Sequence, residues 1–160
     1  MRVLMPGSYD PCTVGHLALI ERAAAEYDAV TVGVFVNPQK AGCFTHAERV
    51  AFLRLATAHL SNVTVIFSDG MVADYARDGA FGAIVKGVRN DADRRYEEEM
   101  AAYNLTRGGV PTVLLPAADG LWDVSSTAVR HALATGMGYK DLLPAAACEA
   151  IVAAYQKKNR

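Results

Sequence analysis

The sequence predicts an α/β protein built on a doubly wound parallel sheet of five strands. Five short apolar segments alternate with segments whose apolar residues recur at helical spacing, which is typical of successive βαβ units. Right-handed crossovers in such units place helices on both faces of the sheet. The chain has 160 residues, of which 52% are hydrophobic, so we expect residues 1–160 to form a single domain with one continuous fold.

Five segments are predicted as strands because they are short, apolar and bounded by turn-forming residues. In chain order they are residues 3–5, 30–36, 63–67, 83–85 and 112–115. The first strand ends at Pro6-Gly7, the second ends at Asn37-Pro38, and Pro111 precedes the fifth.

Apolar residues three or four positions apart predict a helix after each strand. The first helix carries the apolar stripe Leu17, Ile20, Ala24 and Tyr27. Thr45 and Glu48 form a capping-box signature before the second helix. The remaining helices are expected at residues 72–77, 93–106 and 125–133 and after Pro144.

Composition excludes several classes of protein. Sixteen basic and seventeen acidic residues give a net charge of −1, so we expect neither nucleic acid nor a membrane as a partner. No segment approaches the roughly 20 apolar residues of a spanning helix, and the amino terminus does not resemble a signal peptide. A cytoplasmic location follows as an expectation.

Cys12, Cys43 and Cys148 lack metal-ligand spacing and are predicted to be free thiols. No protein metal site is predicted.

The loop after the first strand, PGSYDPCTVGH at residues 6–16, is the richest in functional residue types. Ligands of doubly wound sheets bind beyond the carboxyl ends of the strands, where this loop lies. Its glycines allow close approach of backbone N–H groups to a phosphate, and the following helix offers free donors. Ser8 and His16 are therefore candidate phosphate contacts. The spacing matches neither the Walker P-loop nor G-x-G-x-x-G.

Thr13-Val14-Gly15-His16 resembles the T/H-x-G-H signature of the nucleotidyltransferases related to class I aminoacyl-tRNA synthetases. The whole of residues 6–16 resembles the first motif of the phosphopantetheine adenylyltransferase family, PG[T/S]FDPxTxGH. Tyr9 stands where that motif usually has phenylalanine. The resemblance implies a Rossmann-like nucleotidyltransferase fold.

Two further segments resemble this family in the same order. Asn37-Pro38-Gln39-Lys40, followed by Phe-Thr and Glu-Arg, is similar to its N/S-P-x-K segment and implies that Lys40 contacts phosphates. Lys86-Gly87-Val88-Arg89 is similar to [R/K]-G-[L/V]-R, which implies that Lys86 faces the acceptor and Arg89 faces ATP. A flexible ammonium group suits a phosphate whose position changes during a reaction.

The helix at residues 93–106 and the segment after the fifth strand complete the resemblance. Residues 93–97, DRRYE, align with D-[F/Y]-x-Y-E, although Arg94 stands where an aromatic residue is usual. Glu97 and Asn104 match family positions implied to contact the nucleotide. The sequence WDVSST at residues 122–127 is similar to [W/Y]-S-F-[I/V]-S-S-S with one residue fewer.

The resemblance implies transfer of AMP from ATP to 4′-phosphopantetheine, giving 3′-dephospho-coenzyme A and pyrophosphate. The implied catalytic residues are His16, Lys40 and Ser8. The implied nucleotide contacts are Ser8, Tyr9, His16, Gly87, Arg89, Glu97, Asn104, Trp122, Asp123, Val124, Ser125, Ser126 and Thr127. The implied acceptor contacts are Ser8, Lys40, Val72 and Lys86. Mg²⁺ should accompany ATP, coenzyme A or dephospho-coenzyme A should also bind, and a homohexamer is expected.

Two alternatives stay open at this point. Ser-Ser-Thr followed by Arg130 also resembles the I-S-S-T-x-x-R segment of nicotinate mononucleotide adenylyltransferases, which are usually longer chains. A nucleotide-binding module without turnover is the second alternative, and the presence of both Ser8 and His16 counts against it.

Overall fold

The computed structural model describes residues 1–36 and 41–159. The five strands are β1 (Arg2–Gly7), β2 (Ala29–Phe35), β3 (Val63–Ser68), β4 (Ala83–Val88) and β5 (Thr112–Pro116). The helices are α1 (Val14–Glu26), α2 (His46–Thr57), α3 (Val72–Asp78), α4 (Asp91–Gly108), α5 (Ser126–Thr135) and α6 (Ala145–Lys158), with a short 3₁₀ helix at Tyr139–Asp141. The predicted α/β order of elements is confirmed.

The strands form one all-parallel sheet in the order β3-β2-β1-β4-β5, which confirms the doubly wound fold. The order reverses between β1 and β4, so these neighbouring strands lead to connections in opposite directions. Their pairing is limited to Val3 with Ala83 and Leu4 with Ile84. Beyond these pairs the carboxyl ends of β1 and β4 border a crevice, which is where ligands bind in such sheets.

Alternating residues of β1 show how both faces of the sheet are covered. Val3 and Met5 belong to a large buried cluster that includes Ile20 of α1 and Leu53 of α2. Leu4 belongs to a smaller buried cluster on the opposite face, together with residues of α3 and β4. Successive side chains of a strand point to opposite faces, so the buried residues Val3, Leu4 and Met5 are all apolar.

The helix ends follow local capping chemistry. The predicted capping box before α2 is confirmed, because Thr45 Oγ1 accepts from the Glu48 amide at 3.1 Å and Glu48 Oε1 accepts from the Thr45 amide at 2.9 Å. Helix α4 starts two residues earlier than predicted because Asn90 caps it, its Oδ1 accepting from the Asp93 amide. Gly136 ends α5 in the left-handed region with φ of 74°. No helix in the described part of the chain is long and apolar enough to cross a membrane.

Candidate active site

A cavity of about 390 Å³ lies beyond the carboxyl ends of β1 and β4 and is within the usual size range of small-molecule sites. Its walls come from β1 and the loop after it, the start of α1, the end of β4, α4, and the start of α5. The predicted site residues among its lining are Ser8, Tyr9, His16, Lys86, Gly87, Arg89, Glu97, Val124, Ser125, Ser126 and Thr127. The fold therefore brings together residues more than 100 positions apart in sequence.

Five predicted site residues are placed differently or lie outside the described residues. Asn104 is buried on α4 and is absent from the cavity lining. Trp122 is 54% exposed, and it and the exposed Asp123 are also outside the lining. Val72 begins α3 and packs against the smaller apolar cluster. Lys40 lies outside the described residues. The functional roles of all five remain predictions.

His16 is held at the start of α1 by a reciprocal pair of hydrogen bonds with Thr13. The Thr13 amide donates to His16 Nδ1 at 3.0 Å, and the His16 amide donates to Thr13 Oγ1 at 3.2 Å. A neutral imidazole has one donor and one acceptor nitrogen. Because Nδ1 accepts a backbone hydrogen bond, the ring proton is on Nε2.

The surroundings of His16 keep it neutral. Burial, followed by the positive charges of Lys86 and Arg89, lowers the pKa of His16 to about 4. Both effects disfavour the imidazolium ion. At neutral pH His16 is therefore an uncharged hydrogen-bond donor through Nε2 rather than a cation or a general base.

The buried Tyr9 side chain connects the first loop to β1 and to His16. Its backbone is in the left-handed region with φ of 45°, which is uncommon for a residue with a side chain. Its hydroxyl donates to the Met5 carbonyl oxygen at 3.0 Å, and its ring packs edge-on against His16 with centroids 4.8 Å apart. Burial raises the pKa of Tyr9, so the phenol stays protonated and serves as a scaffold for His16.

Two cations at the end of β4 are held by carboxylates of α4. Lys86 Nζ donates to the Pro6 carbonyl oxygen at 3.2 Å and lies 3.5 Å from Glu97 Oε1. Arg89 Nε donates to Asp93 Oδ2 at 3.0 Å. Asp93 was not predicted as a site residue, and helical spacing gives no signal for the pair because Arg89 precedes the cap of α4.

The start of α5 forms the opposite wall. Ser125 caps this helix, its Oγ accepting from the Ala128 amide at 3.0 Å, and Ser126 Oγ donates to the Pro11 carbonyl oxygen at 2.8 Å. Ser125 is thus both the cap of α5 and a lining residue of the cavity. Ser126 ties α5 to the first loop, a contact that local sequence could not reveal. Free backbone N–H groups of this helix start are suited to an anion.

Arg130 makes a second connection between α5 and the first loop. Its Nη1 donates to the Asp10 carbonyl oxygen at 2.7 Å, and its Nη2 donates to Thr127 Oγ1 at 3.1 Å. Arg130 also lines the cavity. It therefore contributes positive charge to the site while fixing the position of the loop.

A buried network anchored on Asp10 and Arg49 fixes the first loop against α2, and sequence reasoning missed it. The Asp10 carboxylate accepts from the amides of Cys43 and Phe44 at 2.8 and 2.9 Å and lies 3.3 Å from Arg49 Nε. Arg49 also donates to the carbonyl oxygens of Phe44 at 2.9 Å and Ser8 at 3.3 Å. Asp10 is 8% and Arg49 6% exposed, so the pair is shielded from solvent.

Comparison with known proteins places the chain in a family. The cytidylyltransferase-like family model matches residues 4–132. Phosphopantetheine adenylyltransferases from two strains of Corynebacterium glutamicum are each 39% identical to the chain over 160 residues, covering 99% of this chain and 100% of the relative. The chain belongs to the phosphopantetheine adenylyltransferase family. The alignment with these relatives includes every element that lines the cavity.

Solved structures share the fold of this phosphopantetheine adenylyltransferase family member. A bifunctional NMN adenylyltransferase/ADP ribose pyrophosphatase from Francisella tularensis, complexed with AMP and a manganese ion, has a TM-score of 0.65 at 11% sequence identity. The match covers 98% of this chain and 51% of that one. A second structure of the bifunctional protein has a TM-score of 0.61, also at 11% identity. The chain spans about half the length of these structures, and the likeness concerns the fold alone.

The chemistry available in the cavity is that of anion binding. A neutral donor on His16, the cations Lys86 and Arg89, and a helix start face one space. Such groups stabilise negative charge without removing a proton. The arrangement suits phosphoryl groups as both nucleophile and electrophile, as expected in a phosphopantetheine adenylyltransferase.

Proposed function

We propose that this protein transfers AMP from ATP to 4′-phosphopantetheine and produces 3′-dephospho-coenzyme A and pyrophosphate. The observation that carries the proposal is the convergence of motif residues from three separate loops, represented by His16, Arg89 and Ser125, on one cavity. The full-length identity to curated phosphopantetheine adenylyltransferases supports the choice of acceptor.

The reaction requires one displacement at phosphorus. An oxygen of the acceptor phosphate attacks the α-phosphorus of ATP, and the bond from that phosphorus to the oxygen bridging it to the β-phosphate breaks. Pyrophosphate leaves with the electron pair of that bond. The acceptor phosphate is already an anion at neutral pH, so the reaction needs no general base. Catalysis then comes from positioning and from stabilisation of the charge that develops.

We assign the nucleotide side to residues at three edges of the cavity. His16 donates from Nε2 to an oxygen of the α-phosphate, where charge increases in the transition state. Arg89 and the free N–H groups at the start of α5, near Ser125–Thr127, bind the outgoing phosphates. Tyr9, Gly87, Glu97, Asn104 and residues 122–124 complete the proposed nucleotide side, with contacts inferred from their motif positions.

We assign the acceptor side to Lys86 and Ser8, together with Lys40 and Val72. Lys86 is within reach of the crevice between β1 and β4, because its Nζ contacts the Pro6 carbonyl oxygen. Two lysines offset the repulsion between the acceptor phosphate and the triphosphate. The roles of Lys40 and Val72 are inferred from the family motif.

The nucleotide is proposed to bring Mg²⁺ with it. The described residues contain no group of three or more His, Cys, Asp or Glu side chains that could hold a metal ion. Mg²⁺ is commonly bound mainly by phosphates and water, and we propose that mode here. When bound, Mg²⁺ neutralises charge on the phosphates, and no protein ligand is assigned to it.

We also infer a cytoplasmic homohexamer that binds coenzyme A or dephospho-coenzyme A, as expected for the family. Light scattering after size-exclusion chromatography measures the oligomeric state. Calorimetry with coenzyme A measures its binding to the purified protein.

A comparison of acceptors tests the proposed function. Purified protein with ATP and Mg²⁺ is given 4′-phosphopantetheine, nicotinate mononucleotide or no acceptor, and pyrophosphate release is measured. We expect release with 4′-phosphopantetheine only. Release with nicotinate mononucleotide alone would identify the enzyme as that other adenylyltransferase. ATP binding without release from any acceptor would indicate a binding module.

A further inference from the structure

Asp93 holds Arg89 at two points. A single carboxylate oxygen, Asp93 Oδ2, accepts from Arg89 Nε at 3.0 Å and lies 3.3 Å from the Arg89 amide nitrogen, which also donates to it. Both side chains line the cavity and are about one-third exposed, at 37% for Arg89 and 30% for Asp93. The carboxylate therefore links the backbone amide of Arg89 to its Nε atom at the edge of the site.

Asp93 itself is fixed by the start of α4. Its amide donates to the Oδ1 atom of the helix-capping Asn90 at 2.9 Å. The carboxylate consequently projects from a rigid first turn rather than from a loop. One turn further along the helix, Glu97 faces Lys86 in the same way at 3.5 Å.

The contact leaves the outer part of the Arg89 guanidinium group available to a ligand. Asp93 occupies Nε, and neither terminal nitrogen of Arg89 donates to another described residue. The edge formed by Nη1 and Nη2 is the one that binds phosphate oxygens in pairs. A carboxylate beside a phosphate site also repels the ligand, so its presence requires a compensating benefit.

We propose that Asp93 is a positioning residue that orients the Arg89 guanidinium group toward the triphosphate of ATP. The benefit is that Arg89 does not have to lose side-chain freedom when ATP binds, since Asp93 has already restricted it. The inference rests on the proposed function, because it assumes that ATP is the nucleotide bound here. It adds a residue that acts through Arg89 rather than through contact with substrate.

Substitutions of Asp93 are compared with a matched control. Asp91→Ala removes the same charge from the same helix turn, and Asp91 is exposed and has no side-chain contact with Arg89. We expect Asp93→Ala to raise the KM for ATP about tenfold over Asp91→Ala, with the KM for the acceptor unchanged. Asp93→Asn should show a smaller effect, because its amide oxygen still accepts from Nε, and it is the second variant if Asp93→Ala fails to fold.

A double-mutant cycle separates positioning from a general structural effect. In an Arg89→Ala background, Asp93→Ala should change the KM for ATP by less than twofold. The inference is overturned if Asp93→Ala raises the KM for ATP no more than Asp91→Ala does. It is also overturned if Asp93→Ala raises that KM equally in the wild-type and Arg89→Ala backgrounds.

Calorimetry with ATP and Mg²⁺ keeps this test separate from the proposed function. If the wild-type protein binds ATP but uses no phosphopantetheine, the proposed function fails while the inference is still tested by ATP affinity. Weaker ATP binding by Asp93→Ala than by Asp91→Ala supports it. Equal binding by the two variants contradicts it.

Discussion

Thr13 and His16 hold each other at the start of α1, with the Thr13 amide on His16 Nδ1 at 3.0 Å and the His16 amide on Thr13 Oγ1 at 3.2 Å. The same contacts cap a helix and orient an imidazole. They place the ring proton on Nε2, the nitrogen left to act on a ligand. The contacts that cap α1 therefore also orient His16, the proposed catalytic residue.

Replacement of His16 should affect turnover far more than binding. His16→Ala removes a donor whose contact is strongest in the transition state, so kcat should fall by about 10²–10³-fold. The dissociation constant for ATP should change by less than about threefold, since ground-state contacts remain. Steady-state kinetics and calorimetry measure the two quantities. His59→Ala, at an exposed position of the same residue type, should change neither, and retention of turnover within a few-fold by His16→Ala would contradict the role.

The charge state of His16 gives a prediction for NMR. Nitrogen-15 chemical shifts of histidine-labelled protein should show the Nε2–H form and a pKa of about 4, because burial and the cations Lys86 and Arg89 disfavour protonation. A titration near pH 6.5 would show that burial and the two cations do not lower the pKa of His16. A proton on Nδ1 would show that the Thr13 contact does not set the tautomer.

The lowered pKa of His16 also makes stability depend on pH. Between pH 6.5 and about 4 the unfolded chain binds a proton at His16 that the folded chain does not. The free energy of unfolding should therefore fall as pH falls through this range, with a His16 contribution of at most about 3 kcal/mol. Urea denaturation of wild type and His16→Gln measures it. Parallel pH curves for the two proteins would count against the shift.

Removing one partner of the buried network of Asp10 and Arg49 should strongly destabilise the fold. Arg49→Met leaves the Asp10 carboxylate buried without its cation, which should reduce the free energy of unfolding by about 3–5 kcal/mol. Glu26→Gln breaks the exposed pair with Arg22 and should cost less than about 1 kcal/mol. Urea denaturation compares the variants. Similar small losses for both would mean that Arg49 is not an anchor of the loop.

The two lysines of the proposed acceptor side should act on the acceptor rather than on ATP. Lys86→Ala and Lys40→Ala should each raise the KM for 4′-phosphopantetheine by about tenfold or more, since each removes a charge-assisted contact to its phosphate. Lys140→Ala, at an exposed lysine far along the chain, is the control and should match wild type in steady-state kinetics. An unchanged acceptor KM together with an unchanged kcat would remove either lysine from the acceptor side.

The sheet was predictable from sequence because its signals are local. Val3, Leu4 and Met5 are all apolar since both faces of β1 are covered, and this pattern is visible in any short window. Thr45 and Glu48 lie three residues apart, so their capping box was also visible. The predicted parallel topology alone placed the loops that follow the strands at one edge of the sheet.

The supporting contacts of the site were not predictable in the same way. Arg49 reaches Ser8 across 41 residues and Arg130 reaches Asp10 across 120, and no local pattern encodes such distances. The contact between Arg89 and Asp93 was not visible in the sequence either, because Arg89 lies before the cap of α4 and no helical spacing rule links the two residues. Within the motif at residues 122–127, Val124 and Ser125 line the cavity, whereas the exposed Trp122 and Asp123 do not, and the nucleotide contacts of those two residues stay predictions.

Mass spectrometry of the products decides whether AMP moves to the acceptor phosphate. The wild-type protein is incubated with ATP, Mg²⁺ and 4′-phosphopantetheine whose phosphate carries oxygen-18. We predict unlabelled pyrophosphate and an equal amount of dephospho-coenzyme A that retains all of the label. Release of AMP together with a pyrophosphorylated acceptor, the products of attack at the β-phosphorus, or no conversion of the acceptor would contradict adenylyl transfer by this site.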